Sequence, residues 1–565
     1  MTTSPHRSEV FAFASDIVDR DAEADPLLAT EWGVKGFDHL LPDFSRHRAD
    51  ADLALVRDEL AGIARLRVAD DVDRIALAVM HERLTSRLGL LESGEKRRIF
   101  TVIDSPVANI RQVFELMDCQ SADDLDTIAA RLRQVRPALE SWRDCLEFLA
   151  ERGELPSRRH VVGVAGQART HSAGDYSSFV RRVSLGLGES GELTSAALDA
   201  EAACGELASW MDESLAPRAG EHDAVGLDRY RAWSKSWTGA TLDFDELYEW
   251  GYEDLRRINH RMREVANQLV PGSTNLVEVA EHLDHDLARK IDGTDELLRR
   301  LVAVTEGAVG RLDGVQFDID PRIRFCDVRL APEGSAAAAY YIPPSEDLSR
   351  PGTTWYPTLG STTFYWWRQA STWYHEGVPG HHLQCATSII EAERQSRYHR
   401  LEAWTSGYGE GWALYAERLV DELGFFEEPG EEMGFLHGQA LRAARVVVDI
   451  GLHLELPAPS DLGTLRGLGD CSGRVWTAEM AVALLEERAL DEHASAVSEV
   501  DRYLGLPAQA ISYKVGERVW LRSREEARTR LGDDFSLKRF HAYALALGPM
   551  GLDPFEAEMR QWDGR

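Results

Sequence analysis

The densest run of reactive side chains is His375-Glu376-Gly377-Val378-Pro379-Gly380-His381-His382. A His-Glu pair followed within one or two turns by another histidine is how helical zinc sites supply two imidazole ligands with a carboxylate beside them. In the regular form the histidines are four apart and share a helix face. Here His375 and His381 are six apart, which on an unbroken helix sets them about 240° round from each other. Pro379 lacks an N–H and clashes with the carbonyl of His375, while Gly380 is free in its backbone angles. Together they predict a bulge that absorbs two residues and returns His381 to the face of His375. His382, seven after His375, faces the same way but lies roughly 10 Å along the axis, so it belongs beside the site and not on the ion. The plain alternative is that all of these histidines cap and pack helices. His81-Glu82, with no histidine in the next turn, is expected to be ordinary surface helix.

Two histidines need a third ligand, and Glu410 lies 29 residues after His381 in Gly409-Glu410-Gly411. Glu417 is seven residues further on the same helix face, so one glutamate can ligate while the other orients a histidine. The flanking glycines predict close helix packing. A metal held this way acidifies water, and in the regular form the glutamate that follows the first histidine acts as its base. Further on, Arg442, Arg445, Asp449 and His453 follow helical spacing, with His437 upstream. They read either as a solvated face of i, i+4 pairs or as a stripe that orients ligands and holds a substrate carboxylate. Tyr513, Lys514 and His541 are candidate donors to a tetrahedral oxyanion, although a tyrosine such as Tyr513 is more often part of a core.

The elements that must position these residues are mostly helical. Apolar residues recur every three or four positions through residue 300, for example over 52–66 and 122–149. The glycine-rich stretch 163–174 reads as a loop over a cleft or, more simply, a turn between helical layers. Residues 322–330 and 336–342 have strand composition, predicting a small antiparallel sheet just upstream of the histidine cluster. Its Tyr340 and Tyr341 could pair with an extended substrate backbone. Helical spacing then returns to the end of the chain, including 507–531. The expected organisation is one continuous mainly α fold, with 1–300 as a helical wall and 301–565 carrying the sheet and the site.

Composition narrows the function classes. The 565 residues carry 44% hydrophobic and 28% charged side chains and a net charge of −32. The chain should fold, and such a field disfavours nucleic acid and anionic membrane surfaces. Six scattered cysteines, without a C-x-x-C pair, make neither a disulfide framework nor a thiolate zinc site. No window approaches the roughly 18 apolar residues of a membrane helix, and residues 1–25 lack an export-type apolar core. A cytoplasmic protein is the resulting expectation.

Several strings in one order carry a family resemblance: Tyr340-Tyr341-Ile342-Pro343-Pro344-Ser345, Arg350-Pro351-Gly352, His375 through Gln384, Gly409-Glu410-Gly411-Trp412-Ala413-Leu414-Tyr415, and Tyr513-Lys514-Val515-Gly516. They resemble the bacterial family catalogued as domain of unknown function 885. That family in turn resembles carboxypeptidase Taq and, more distantly, gluzincin peptidases of the thimet-oligopeptidase and angiotensin-converting-enzyme type. The resemblance implies a helical gluzincin-like fold split by a deep substrate channel, with one zinc ion per chain at its floor. It further implies His375, His381 and Glu410 as ligands, Glu376 as base and Tyr513 as oxyanion donor. The expected activity is hydrolysis of short peptides by a carboxypeptidase- or oligopeptidase-like enzyme, and a homodimer is compatible with it. An exopeptidase would need a cation for the substrate carboxylate, with Arg350, Arg442, Arg445 and Lys514 as candidates. The competing readings are a zinc hydrolase of another ester or amide, and a helical binding protein with a metal-free degenerate site.

Overall fold

A computed structural model describes residues 8–188, 190–273, 275–331 and 338–565. It is 66% helix and 5% strand. Helix starts follow local chemistry: the side chains of Ser8, Asp70, Ser121 and Asp243 accept backbone N–H groups that the first turn leaves without partners. One apolar cluster gathers residues from Val10 to Trp562, so both ends of the described chain contribute to the core around the site.

Two long helices, Phe244–Leu269 and Pro429–His453, run against each other. Their close approach depends on Gly251, where an added Cβ would lie 2.7 Å from Val446. The Pro429–His453 helix also packs on Trp366–Glu376, the helix that ends in His375 and Glu376. At that crossing a Cβ on Gly434 would fall 1.7 Å from the Trp367 carbonyl oxygen, so only glycine lets the helices meet.

The sheet upstream of the site is mixed, which corrects the antiparallel expectation. Thr353–Tyr356 is the central strand, parallel to Asp327–Leu330 and antiparallel to Tyr340–Ile342, with Tyr341 opposite Thr354. Local composition identifies strands, but their direction is set by the path of the connections, and the last strand of the three lies between the other two. The first strand is shorter than expected, because Pro321–Ile323 forms a 3₁₀ turn. Residues 336 and 337 of the expected second strand lie outside the described residues. A further short pair, Lys290–Asp292 with Thr363–Tyr365, leads directly into the His375 helix.

The glycine-rich stretch is also corrected: Arg158–Ser172 is one helix containing Gly163 and Gly166. Val161, Val164, Ala165 and Ala168 bury one of its faces, and that packing outweighs the weak helix preference of glycine. The late helix begins at Ser512 and not at Pro507. Among the described residues no helix is long and apolar enough to cross a membrane.

Candidate metal centre

His375 lies in the last turn of its helix, and His381 opens the next, His381–Ile390. The intervening residues form a break and not the expected bulge. Gly377 and Gly380 leave helical geometry with ψ of −128° and −130°, and the Val378-Pro379 peptide is cis. The chain folds so tightly onto itself that a Cβ on Gly380 would lie 1.9 Å from the His375 carbonyl oxygen. The Trp412 indole N–H donates to the carbonyls of Pro379 at 2.9 Å and Gly380 at 3.2 Å, tying the break to the Glu410 helix, Ser406–Glu422.

This break brings the two imidazoles edge to face, with ring centroids 4.8 Å apart. Glu410 reaches both: its Oε2 lies 3.1 Å from His375 Nε2 and 3.4 Å from His381 Nε2. One ligand atom from each of His375, His381 and Glu410 falls within 4.8 Å of the others. Glu410 gets there because its helix is flanked by glycines in contact. A Cβ on Gly411 would sit 2.5 Å from Gly516 Cα, and one on Gly409 would sit 2.4 Å from the Trp404 indole nitrogen. Glu417 takes the other side of His375, with Oε1 2.7 Å from Nδ1, and accepts from the Ser371 hydroxyl.

The charges in this buried cluster are strongly coupled. Burial disfavours protonated His375, but hydrogen bonds to Glu410 and Glu417 win and push its pKa up to about 10. Burial would likewise raise Glu410, yet His381 and His375 hold it well below the usual carboxylate range. Glu417 is also lowered against burial, by its bond to His375 and by the Arg442 charge. Glu376 behaves differently. Burial raises its pKa, Glu410 adds to the rise, and the nearby His375, His381 and Arg442 charges do not cancel it. Its side chain is buried.

Tyr513 stacks on His375 at 6.3 Å between ring centroids and 21° between planes. Burial and then the Glu410 charge raise its hydroxyl pKa, keeping the proton on oxygen. The Arg445 and Arg442 guanidinium carbons lie 4.6 Å and 5.9 Å from its ring centroid.

The other candidates are distributed over different structures. His382 donates from Nε2 to the Ile323 carbonyl at 2.8 Å, and burial lowers its pKa to about 4. In that neutral tautomer Nδ1 accepts from the Tyr341 hydroxyl at 3.0 Å, so His382 fastens the sheet to the site helix. Tyr340 stacks on Trp355, and Arg350 donates to the Glu31 carbonyl at 3.4 Å. Lys514 points away from the cluster, to Gln439, Glu517 and Asp254. His541 bonds Tyr415 at 2.8 Å and stacks on Phe317. The stripe on the Pro429–His453 helix is not a solvated face, since that helix is buried nearly all round. Its arginines go to Tyr513, whereas Asp449 accepts from Tyr230 and the Ala508 N–H, and His453 bonds the Tyr503 carbonyl. His437 likewise bonds the Ala489 carbonyl. His81 is exposed, as expected.

Sequence reasoning missed Ser371, Trp412, and the Glu499, Arg502 and Tyr503 group that braces Arg445. Ser371 carried a signal, lying one helical turn before His375. Nothing in the sequence links Glu499 to Arg445, since they meet only through packing.

The fold and site thus define a mainly helical protein built around a buried His-His-Glu cluster. The chain belongs to the family described as bacterial protein of unknown function (DUF885), which matches residues 26–559. No functionally curated protein matches it. Two solved structures share the fold over nearly the whole chain. "The putative lipoprotein from Colwellia psychrerythraea" is 21% identical with a TM-score of 0.84, covering 98% of each chain. "A putative lipoprotein of unknown function from Shewanella oneidensis" is 19% identical with a TM-score of 0.70, covering 97% of this chain and 99% of that one. These descriptions overturn the cytoplasmic expectation. That expectation rested on scattered cysteines and the lack of an apolar export core, and neither property decides a compartment.

Proposed function

We propose that this chain is a zinc-dependent metallopeptidase that hydrolyses short peptides. The observation that carries the reading is the convergence of His375, His381 and Glu410 beside a buried carboxylate, Glu376. Two imidazoles and one carboxylate suit zinc. Glu417 fixes the His375 ring so that Nε2 faces Glu410, as an orienting carboxylate does in such sites. The proposal extends to a gluzincin-like fold with a substrate channel, supported by the mainly helical architecture and the resemblance of the motifs.

His375, His381 and Glu410 would hold the ion, which supplies Lewis-acid polarisation of a carbonyl and lowers the pKa of water. Glu376 takes a proton from the attacking water on its carboxylate and returns it to the leaving amine. Burial raises its pKa, which favours holding that proton between the two steps. The Tyr513 hydroxyl, kept protonated, donates a hydrogen bond to the developing oxyanion.

Elemental analysis of protein purified without a metal-binding tag tests the reading first. We expect one zinc per chain, lost in Glu410→Ala and His381→Ala. Glu376→Gln should keep zinc while losing hydrolysis of short peptides. A wild-type chain that takes up no metal when zinc is supplied would sink the proposal.

A further inference from the structure

Resting on the peptidase reading, we infer that Asp449 is a positioning residue for Tyr513. Its carboxylate holds a left-handed turn at Ala508, in the connection that leads into the Ser512–Leu531 helix, and Tyr513 lies in the first turn of that helix.

Ala508 has a φ of 64° and is fully buried. The left-handed region crowds an alanine Cβ against the backbone, so the conformation persists only where surrounding contacts impose it. Asp449 supplies such a contact: its Oδ2 accepts the Ala508 N–H at 3.0 Å and also accepts from the Tyr230 hydroxyl. A turn that relaxed away would leave this N–H unbonded in the core. Past Ala508, the Ser512 N–H donates to the Gln509 carbonyl at 3.1 Å. The Ser406 and Ser512 hydroxyl oxygens lie 2.6 Å apart, which ties the far end of the connection to the Glu410 helix.

Keeping a carboxylate at this place opposes folding unless its partners compensate. Asp449 is fully buried, and its Oδ1 has no hydrogen-bond partner among the described residues. His453 Nε2 stands 3.9 Å from Oδ1 but bonds the Tyr503 carbonyl at 3.0 Å, and burial lowers the His453 pKa to about 4, so that ring is neutral near pH 7. The bonds from Tyr230 and Ala508 and the Arg502 charge do not cancel the burial, which pushes the Asp449 pKa up to about 7. What the carboxylate adds over an apolar side chain is a strong acceptor for one backbone N–H. Asp449 also lies one helical turn after Arg445, whose guanidinium carbon is 4.6 Å from the Tyr513 ring centroid. The Pro429–His453 helix therefore meets the tyrosine twice, at its ring and at the turn before it. Because that ring stacks on His375, a shift of the turn moves the hydroxyl relative to the metal cluster.

The test measures kcat and KM on the zinc-loaded full chain with a short peptide that wild type cleaves. In Asp449→Ala we expect kcat to fall about 10–100-fold, as small misplacements of a reacting group do, with KM and zinc content unchanged. In a Tyr513→Phe background the same substitution should leave kcat unchanged, since the hydroxyl it positions is gone. An undiminished loss in that background overturns the inference and leaves Asp449 a residue of the core alone. Adding Ala508→Gly to Asp449→Ala should restore most of kcat, because glycine adopts the turn without help, and no recovery likewise overturns it. Should Asp449→Ala not fold, Asp449→Asn, with its weaker acceptor, takes its place in both comparisons. If zinc-bound wild type cleaves no peptide, the peptidase reading fails on its own, and hydrogen exchange in Asp449→Asn decides the turn. Exchange at the Ala508 amide about tenfold faster, with the His381–Ile390 helix unchanged, supports the hold. Ala508 exchange that is unaltered, or faster only in step with the whole chain, overturns it.

Discussion

Glu417 Oε1 lies 2.7 Å from His375 Nδ1, on the opposite edge of the ring from Glu410. The same imidazole is thus oriented by one carboxylate and presented to another. Removing the orienting charge should weaken metal binding without abolishing it. For Glu417→Gln we expect zinc affinity to fall about 10–100-fold, measured by competition with a chromophoric chelator. Affinity equal to wild type would show that ring orientation is set by packing alone.

The metal-free cluster should respond to pH in a defined direction. His375 has its pKa raised to about 10, so its protonated form stabilises the fold fully below the usual histidine value of about 6.5. That contribution fades as pH rises through the folded value. Urea unfolding of metal-free protein should lose stability between pH 7 and 10, and His375→Ala should flatten this dependence. The depressed Glu410 works oppositely, contributing above the ordinary carboxylate range and losing its contribution in acid. Zinc uptake must release the His375 proton, so binding should strengthen as pH rises from 6 to 8. Uptake independent of pH would contradict the protonated resting state.

Gly380→Ala should disrupt the site. The new Cβ would lie 1.9 Å from a backbone oxygen that cannot swing away, so a cost of about 1–3 kcal/mol or more is expected. Zinc should be lost with it. The control is Gly166→Ala, in the interior of the Arg158–Ser172 helix with no atom within 4 Å of the added group. It should be neutral or stabilising by up to about 1 kcal/mol. Thermal unfolding of the two variants compares them directly, and equal Tm values would refute the packing account of the break.

Tyr513→Phe should retain zinc and fold normally, because the ring stack on His375 survives. If its hydroxyl stabilises the oxyanion, kcat should fall about 10²–10³-fold with KM little changed. A loss confined to KM would place the hydroxyl in substrate binding instead.

Much of this protein was legible from residue type and spacing. Helical periodicity announces the mainly α fold, and His375, His381, Glu410 and Glu417 stand out because their chemistry is rare in ordinary helix surfaces. Spacing also foretold that Pro379 and Gly380 must interrupt the helix, since an unbroken one would separate the histidines. The form of the interruption was decided by tertiary contacts: Trp412 holds two carbonyls of the break from another helix. Strand direction in the small sheet was likewise beyond local composition. The clearest division falls within one helical stripe. Arg442, Arg445, Asp449 and His453 look alike as spaced polar residues, yet two face Tyr513 and two fasten distant core segments. A sequence specifies which groups can ionise or bond, because those are properties of the side chain. Which partner meets each group depends on how buried helices cross, and contacts far apart in the chain settle that.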